Sequence, residues 1–226
     1  MKKLLISMLL LLSLNAFAQD YKPLENEFGI GLKAAGIWPL ISQPIQAVID
    51  TLQLRAMYTL NEKMTFRADF GFYGGNKKNQ VETENSLVTL SEKQSGFIFA
   101  PGVEYHFAGT EMLDPFVGAS LGLNFQGKKK TTSTSQFSST TYEIYEEEPG
   151  NLKFDFLIIS GFRFFVLERF SLGLEAGFGY QLSTKKGKEI YTVQNESEVS
   201  NITQTNGGFR TGGLAFHLSY FFGEMN

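Results

Sequence analysis

Leu214-Ala215-Phe216-His217-Leu218-Ser219-Tyr220-Phe221-Phe222 places a large apolar or aromatic side chain on every second residue: Leu214, Phe216, Leu218, Tyr220 and Phe222. Between them stand the small or polar residues Ala215, His217 and Ser219. A period of two is that of a strand with one greasy and one polar face. A water-soluble domain would rarely leave so much aromatic surface in its last strand. The rest of the chain can be tested against one architecture, an antiparallel barrel set in lipid.

The chain has 226 residues, of which 14% are aromatic, with 22 Phe, 9 Tyr, 23 Gly and 6 Pro. That composition suits many strands better than helices. There is no Cys, which rules out a disulfide framework, a thiol nucleophile, a cysteine metal site and a lipidated N-terminal Cys. A net charge of −3 is too mild to suggest a nucleic-acid partner. Residues 1–18 read as a signal peptide: Lys2 and Lys3 form its basic region, Leu4 to Leu14 its apolar run, and Ala16-Phe17-Ala18 its cleavage site. The apolar run is shorter than the ~18–20 residues of a spanning helix. Phe154 to Leu167, the greasiest later segment, is also short and carries Asp155 and Arg163. A membrane location would therefore require a closed barrel, since only helices and closed barrels satisfy their backbone groups in lipid.

After a lead at 19–26, the alternation predicts eight strands over 27–222, then a tail at 223–226. They run Glu27–Ile37, Thr51–Leu60, Met64–Tyr73, Gly96–Phe107, Pro115–Gln126, Leu152–Leu167, Phe170–Ser183 and Gly207–Phe222. Trp38-Pro39 and Pro44 mark the first loop, and 74–95, 127–151 and 184–206 read as polar loops. Pro101 removes a ladder donor, which predicts a bulge or weak pairing. Short connections follow strands two, four and six, and long ones follow the odd strands. One face is crowded with Phe, Tyr and Leu, too bulky for the interior of an eight-stranded barrel. The other is rich in Gly and Ser, which fit that interior. A soluble lipocalin-like carrier would have these faces inverted, with Phe and Leu lining a cavity.

Residues 27–222 thus resemble the bacterial outer-membrane β-barrel domain family, of the compact eight-stranded type found in the OmpA and OmpX barrels and in porin-family proteins of Bacteroidota. The resemblance implies an all-β, up-and-down transmembrane barrel with short periplasmic turns and long extracellular loops. It implies contact with outer-membrane lipid, lipopolysaccharide and the barrel-assembly machinery. In that family a terminal strand such as Leu214, Phe216, Leu218, Tyr220 and Phe222 is the assembly signal; here Gly223 to Asn226 follow it.

The candidate functional groups are the ionisable residues on the small-residue face: Glu27, Lys33, Arg55, Arg67, Asp69, Glu104, His106, Asp155, Arg163, Glu175 and His217. Their signs nearly balance, which predicts a salt-bridged, plugged lumen; the sharper alternative is a narrow path for ions or small solutes. Glu104, His106 and His217 are too sparse a set to predict a metal, and no Ser sits in a nucleophile motif. Neither a cofactor nor an enzyme activity is expected. Lys128, Lys129 and Lys130 are the candidate contact for lipopolysaccharide phosphates. Tyr142, Ile144, Tyr145, Ile190, Tyr191 and Val193 favour strands, so the outer loops could extend as hairpins and offer edges to a protein partner. The expected protein is a monomer with a structural or adhesive role through its loops. A pore is the first alternative and an accessory part of an envelope-assembly or secretion system the second.

Overall fold

The computed structural model describes residues 23, 25–35, 52–83, 86–110, 112–137, 140–193 and 196–223. The segment 1–18 read as a signal peptide, Trp38 with Pro39 and Pro44, and the tail after Gly223 lie outside the described residues. Every regular element within them is a strand: β1 Phe28–Ala35, β2 Leu52–Asn61, β3 Met64–Thr83, β4 Ser86–His106, β5 Leu113–Gln126, β6 Lys129–Phe137, β7 Thr140–Glu148, β8 Asn151–Leu167, β9 Phe170–Val193 and β10 Glu196–Phe222.

All pairings are antiparallel. They run β1-β2-β3-β4-β5-β8-β9-β10 and return to β1, a ring of eight strands. At one end of the ring the connections are tight. Asn61 Oδ1 accepts from the Lys63 amide at 2.9 Å, an Asx turn between β2 and β3. Glu168-Arg169 joins β8 to β9, with Arg169 at φ 65°.

The three segments read as long polar loops are largely strand, a correction at 74–95 and the expected hairpin extension at 127–151 and 184–206. Segments 74–95 and 184–206 are strand along most of their length, and 127–151 holds the β6–β7 hairpin. Their Ser, Thr, Val, Ile and Tyr favour extended backbone. Their polarity, which made them read as loops, belongs to a sheet with water on both sides. β4 leaves β5 at Gly96 and pairs higher up with β6; β9 leaves β8 at Lys185 and pairs higher up with β7. The ring wall thus continues upward as six strands in the order β3-β4-β6-β7-β9-β10. Among the described residues, β1 and β2 take no part in this extension.

Pro101 produces no bulge. The β4–β5 register is unchanged on either side of it, but no pairing with β5 is made at Ala100 or Pro101. One register shift lies instead between Thr211 and Gly213 in β10, with others between Thr59 and Asn61 and between Phe165 and Leu167 beside the tight turns. Gly213 has φ 73°, where only glycine sits without strain. The extra residue switches the faces of β10: below it Phe216 points outward, and above it Phe209 does.

The two faces of the ring are unlike in the way that decides its surroundings. Outside stand Phe28 at 64% exposure, Ile158 at 55% and Phe72 and Phe209 at 76% each. Inside, Asp69, Glu104, Arg163 and His217 are wholly buried at 0%. Carrier-like inversion, with the aromatic side chains within, is not what is found. Aromatic pairs tie neighbouring strands across the outer face, including Phe28–Tyr58 at 4.8 Å and a stacked Phe97–Phe125 pair at 4.5 Å. On β3 this greasy face runs from Met64 to Phe72. Nine residues at ~3.3 Å rise, tilted ~40°, span about 23 Å of height. Beyond Phe72 the outward residues of β3 turn polar: Asn76, Lys78, Gln80 and Glu82, all exposed.

Candidate functional site

The interior is built on an apolar floor near the turn end, where Met57, Phe165 and Phe221 form a buried cluster beside Met112. Directly above, the Arg163 guanidinium lies 5.3 Å from the Phe116 ring centroid and 5.6 Å from that of Phe221, within cation–π range.

A single charge network fills the ring over this floor. Alternation puts Arg55, Arg67 and Asp69, Glu104 and His106, Asp114, Arg163 and Glu175 on the inward faces of six strands. Asp69 accepts from Arg55 Nε at 2.6 Å and from Lys33 Nζ at 3.0 Å. Glu175, across the ring on β9, takes Arg67 Nη1 at 2.5 Å, Lys33 Nζ at 2.8 Å and Arg55 Nη2 at 2.9 Å. Arg67 Nη1 also donates to Glu104 Oε1 at 2.9 Å, and Arg163 Nη2 donates to Glu104 Oε2. His106 Nδ1 lies 2.9 Å from Asp114 Oδ2, and its Nε2 lies 3.7 Å from Glu104. Lys33, Arg55, Arg67 and Arg163 are thus matched by Asp69, Glu104, Asp114 and Glu175. Buried charges persist only in such company, since an unpaired one is costly.

The remaining residues singled out in the sequence stand apart from this network. Glu27 is buried at the turn end, 3.5 Å from Arg169. Asp155 lies higher, taking Gln181 Nε2 at 2.7 Å and Arg210 Nε at 3.2 Å. His217 packs 6.3 Å from Phe116, centroid to centroid, and covers Gly173, where a Cβ would collide with the imidazole. Sequence reasoning missed Asp114, Arg169 and Arg210. Asp114 and Arg169 were read as turn residues, and the parity of Arg210 is hidden by the bulge at Gly212. The inward parity of Phe116 and the β5 start at Leu113 were the available signals for Asp114.

Beyond the ring a second set of charges ties the hairpins together. Lys128 Nζ donates to Glu147 Oε1 at 2.6 Å, Lys130 Nζ lies 3.3 Å from Glu147 Oε2, and Lys129 lies 3.4 Å from Glu92. Lys185 pairs with Glu148 at 2.5 Å. Hydrogen bonds from Lys128 and Tyr145 hold the Glu147 carboxyl down at about 2. The three lysines therefore already share carboxylates within the sheet.

Between the two charged levels runs a band of uncharged polar groups. Tyr73 Oη donates to Asn124 Oδ1 at 2.9 Å, Asn151 Nδ2 to Gln126 Oε1 at 3.3 Å and Ser183 Oγ to Asn151 Oδ1 at 2.9 Å. At the turn end, a pocket of about 380 Å³ opens onto His106 and Asp114, with Thr59, Thr65 and Lys63 on its walls. Among the described residues, no group of three His, Asp or Glu side chains is arranged to hold a metal ion.

No protein-family model matches the chain, and no curated protein does. Among solved structures it is similar to Acinetobacter baumannii CarO, at 10% identity and a TM-score of 0.38, covering 91% of this chain and 100% of that one. It is also similar to the outer membrane protein AlkL, solved in DMPC lipid bilayers, at 14% identity and a TM-score of 0.34, covering 92% of this chain and 95% of that one. Both scores are below 0.5, too low to argue from.

Proposed function

We propose that this chain is an integral outer-membrane β-barrel whose lumen is plugged by its charge network, and that it acts through the six-stranded sheet raised above the membrane. The observation that carries the reading is the contrast between the two faces of the ring. Each large apolar side chain left in water forfeits about 1.5–3 kcal/mol of burial, and the outer face carries a continuous set of them. Lipid removes that cost. The ~25 Å apolar band expected of outer-membrane barrels matches the height of the greasy face. The basic region and apolar run at the start of the chain support export.

The role is structural or adhesive. The burial of Arg55, Arg163, Asp69 and Glu104 within the ring supports a plugged lumen, while the raised sheet presents a large, mostly polar surface. Rigid scaffolds commonly carry function on what they hold outward. The experiment is fractionation with a heat-shift gel, followed by planar-bilayer recording. The expected result is a detergent-extracted protein whose band moves on boiling and whose insertion gives no stable conductance step. Steady conductance would support the pore instead, and a soluble protein without a heat shift would contradict both.

A further inference from the structure

We infer that the chamber between the two charged levels is a binding site for a short neutral oligosaccharide. The inference goes beyond the structural or adhesive reading and depends on it only for which side of a membrane the chamber faces.

The chamber wall is rich in groups that can both donate and accept without carrying charge, set beside the paired Asp155 and Arg210 and beside Lys153. Asn124 and Gln126 on β5, Asn151 on β8, Gln181 on β9 and Gln94 on β4 all lie on inward positions of their strands. A carboxamide has two donor hydrogens and two acceptor lone pairs. The bonds within the wall, such as Asn151 to Gln126 and Gln181 to Asp155, use only part of that capacity. Adjacent hydroxyls of a sugar, each donor and acceptor at once, fit what is left. The wall is half-buried, so polar groups there are held in place by their neighbours before any ligand arrives.

Space and an apolar platform are also present. A Cβ at Gly208, opposite Gln181, or at Gly75, beyond Tyr73, would meet nothing within 4 Å. Tyr73 and Gln94 line a pocket of about 270 Å³ that also holds Lys77, Glu92 and Lys129. That is near the lower end of the roughly 300–1,000 Å³ usual for small-ligand sites, enough for one subsite of a larger chamber. Tyr73 offers a ring against which the C–H face of a pyranose can lie, while its hydroxyl is fixed on Asn124.

The charges at this level favour a neutral ligand. Asp155 is held by Gln181 and Arg210, and Lys129 and Lys185 share Glu92 and Glu148. An anionic sugar would have to compete with these carboxylates. Lys153 and Lys77 are the cations that would favour one, so the acidic ligand is a necessary arm of the test.

The test is isothermal titration of the full chain in detergent with maltohexaose, cellohexaose, chitohexaose and hexagalacturonate. At least one neutral hexasaccharide is expected to bind with Kd at or below about 1 mM, and Tyr73→Ala to weaken it about tenfold or more. Gln94→Ala is the second variant. Gln94 makes no side-chain hydrogen bond among the described residues, so its loss should spare the wall and still weaken binding. Each variant is checked by its heat shift, which reads the barrel separately from the ligand. Val199→Thr, on the outer face of the raised sheet, should bind as the parent does. Absence of binding by all neutral probes, tighter binding of hexagalacturonate, or unchanged affinity in both Tyr73→Ala and Gln94→Ala would overturn the inference.

Discussion

Glu175→Gln should destabilise the barrel strongly, although it keeps the volume of the side chain. Glu175 is almost fully buried and takes Lys33 at 2.8 Å, Arg55 at 2.9 Å and Arg67 at 2.5 Å. The amide cannot balance charge, so Lys33, Arg55, Arg67 and Arg163 would face only Asp69, Glu104 and Asp114. Removing one partner of a buried ionic cluster costs about 3–5 kcal/mol, which is about a 10²–10⁴-fold fall in the folded-to-unfolded ratio. Urea unfolding in detergent micelles, followed by the gel shift, reads this directly. A second substitution provides the internal check. Lys33 is the most exposed member of the cluster, its side chain at 15%, so Lys33→Met beside Glu175→Gln restores balance with little new burial. The double variant should be more stable than Glu175→Gln alone, by at least about 1 kcal/mol of coupling. A Glu175→Gln midpoint within about 0.5 kcal/mol of the parent, or a double variant weaker than the single, would refute the view that charge balance holds the lumen closed.

Gly173→Ala drives a methyl into the His217 imidazole and should cost about 1–3 kcal/mol by overpacking; His217→Ala in the same chain should recover part of it in the same unfolding assay. Ile158→Lys places a charge at mid-height on the outer face and should cost about 2–4 kcal/mol in a bilayer, against almost nothing for Thr132→Lys on the raised sheet. Glu147 gives a pH dependence with a definite sign. Its carboxyl is depressed from 4.5 to about 2, so its contribution is whole above 4.5 and is lost as pH falls through about 2. Amide protection factors in the β6–β7 hairpin should therefore fall on acidification below 4.5 while those of the ring hold.

The ring was legible because each of its strands is amphipathic with period two, and aromatic residues outside with charge inside make that contrast sharp. The raised strands were legible only in part: Tyr142, Ile144, Ile190 and Tyr191 marked hairpins in the last two long loops, whereas over 74–95 the alternation of Val88 and Leu90 is diluted among Ser, Thr and Glu. Turn chemistry was readable at Asn61-Glu62-Lys63 and at Glu168-Arg169. Pro101 suggested a bulge or weak pairing, and the ladder takes the second course, keeping register and forgoing pairing at Ala100 and Pro101. The bulge that exchanges the faces of β10 lies at Gly212-Gly213, where two glycines in sequence gave no sign of it. The candidate charges could be found by parity alone, but their pairing could not. Arg55 and Arg67 meet Glu175 over more than a hundred residues of chain, and only the order of strands around the ring brings them together. Asp114 escaped because a strand start was taken for a turn.

The central claim is that the aromatic face of the ring looks into lipid. The chain has no Cys, so single cysteines can be placed from Phe154 to Phe164 on β8 and nitroxide-labelled in reconstituted bilayers. The decisive measurement is their collision rate with oxygen, which enriches in lipid, against that with a water-soluble nickel chelate. Labels at Phe154, Phe156, Ile158 and Phe162 should favour oxygen, with the preference falling at every intervening residue. The reverse pattern, with those positions open to the nickel reagent, would contradict the account.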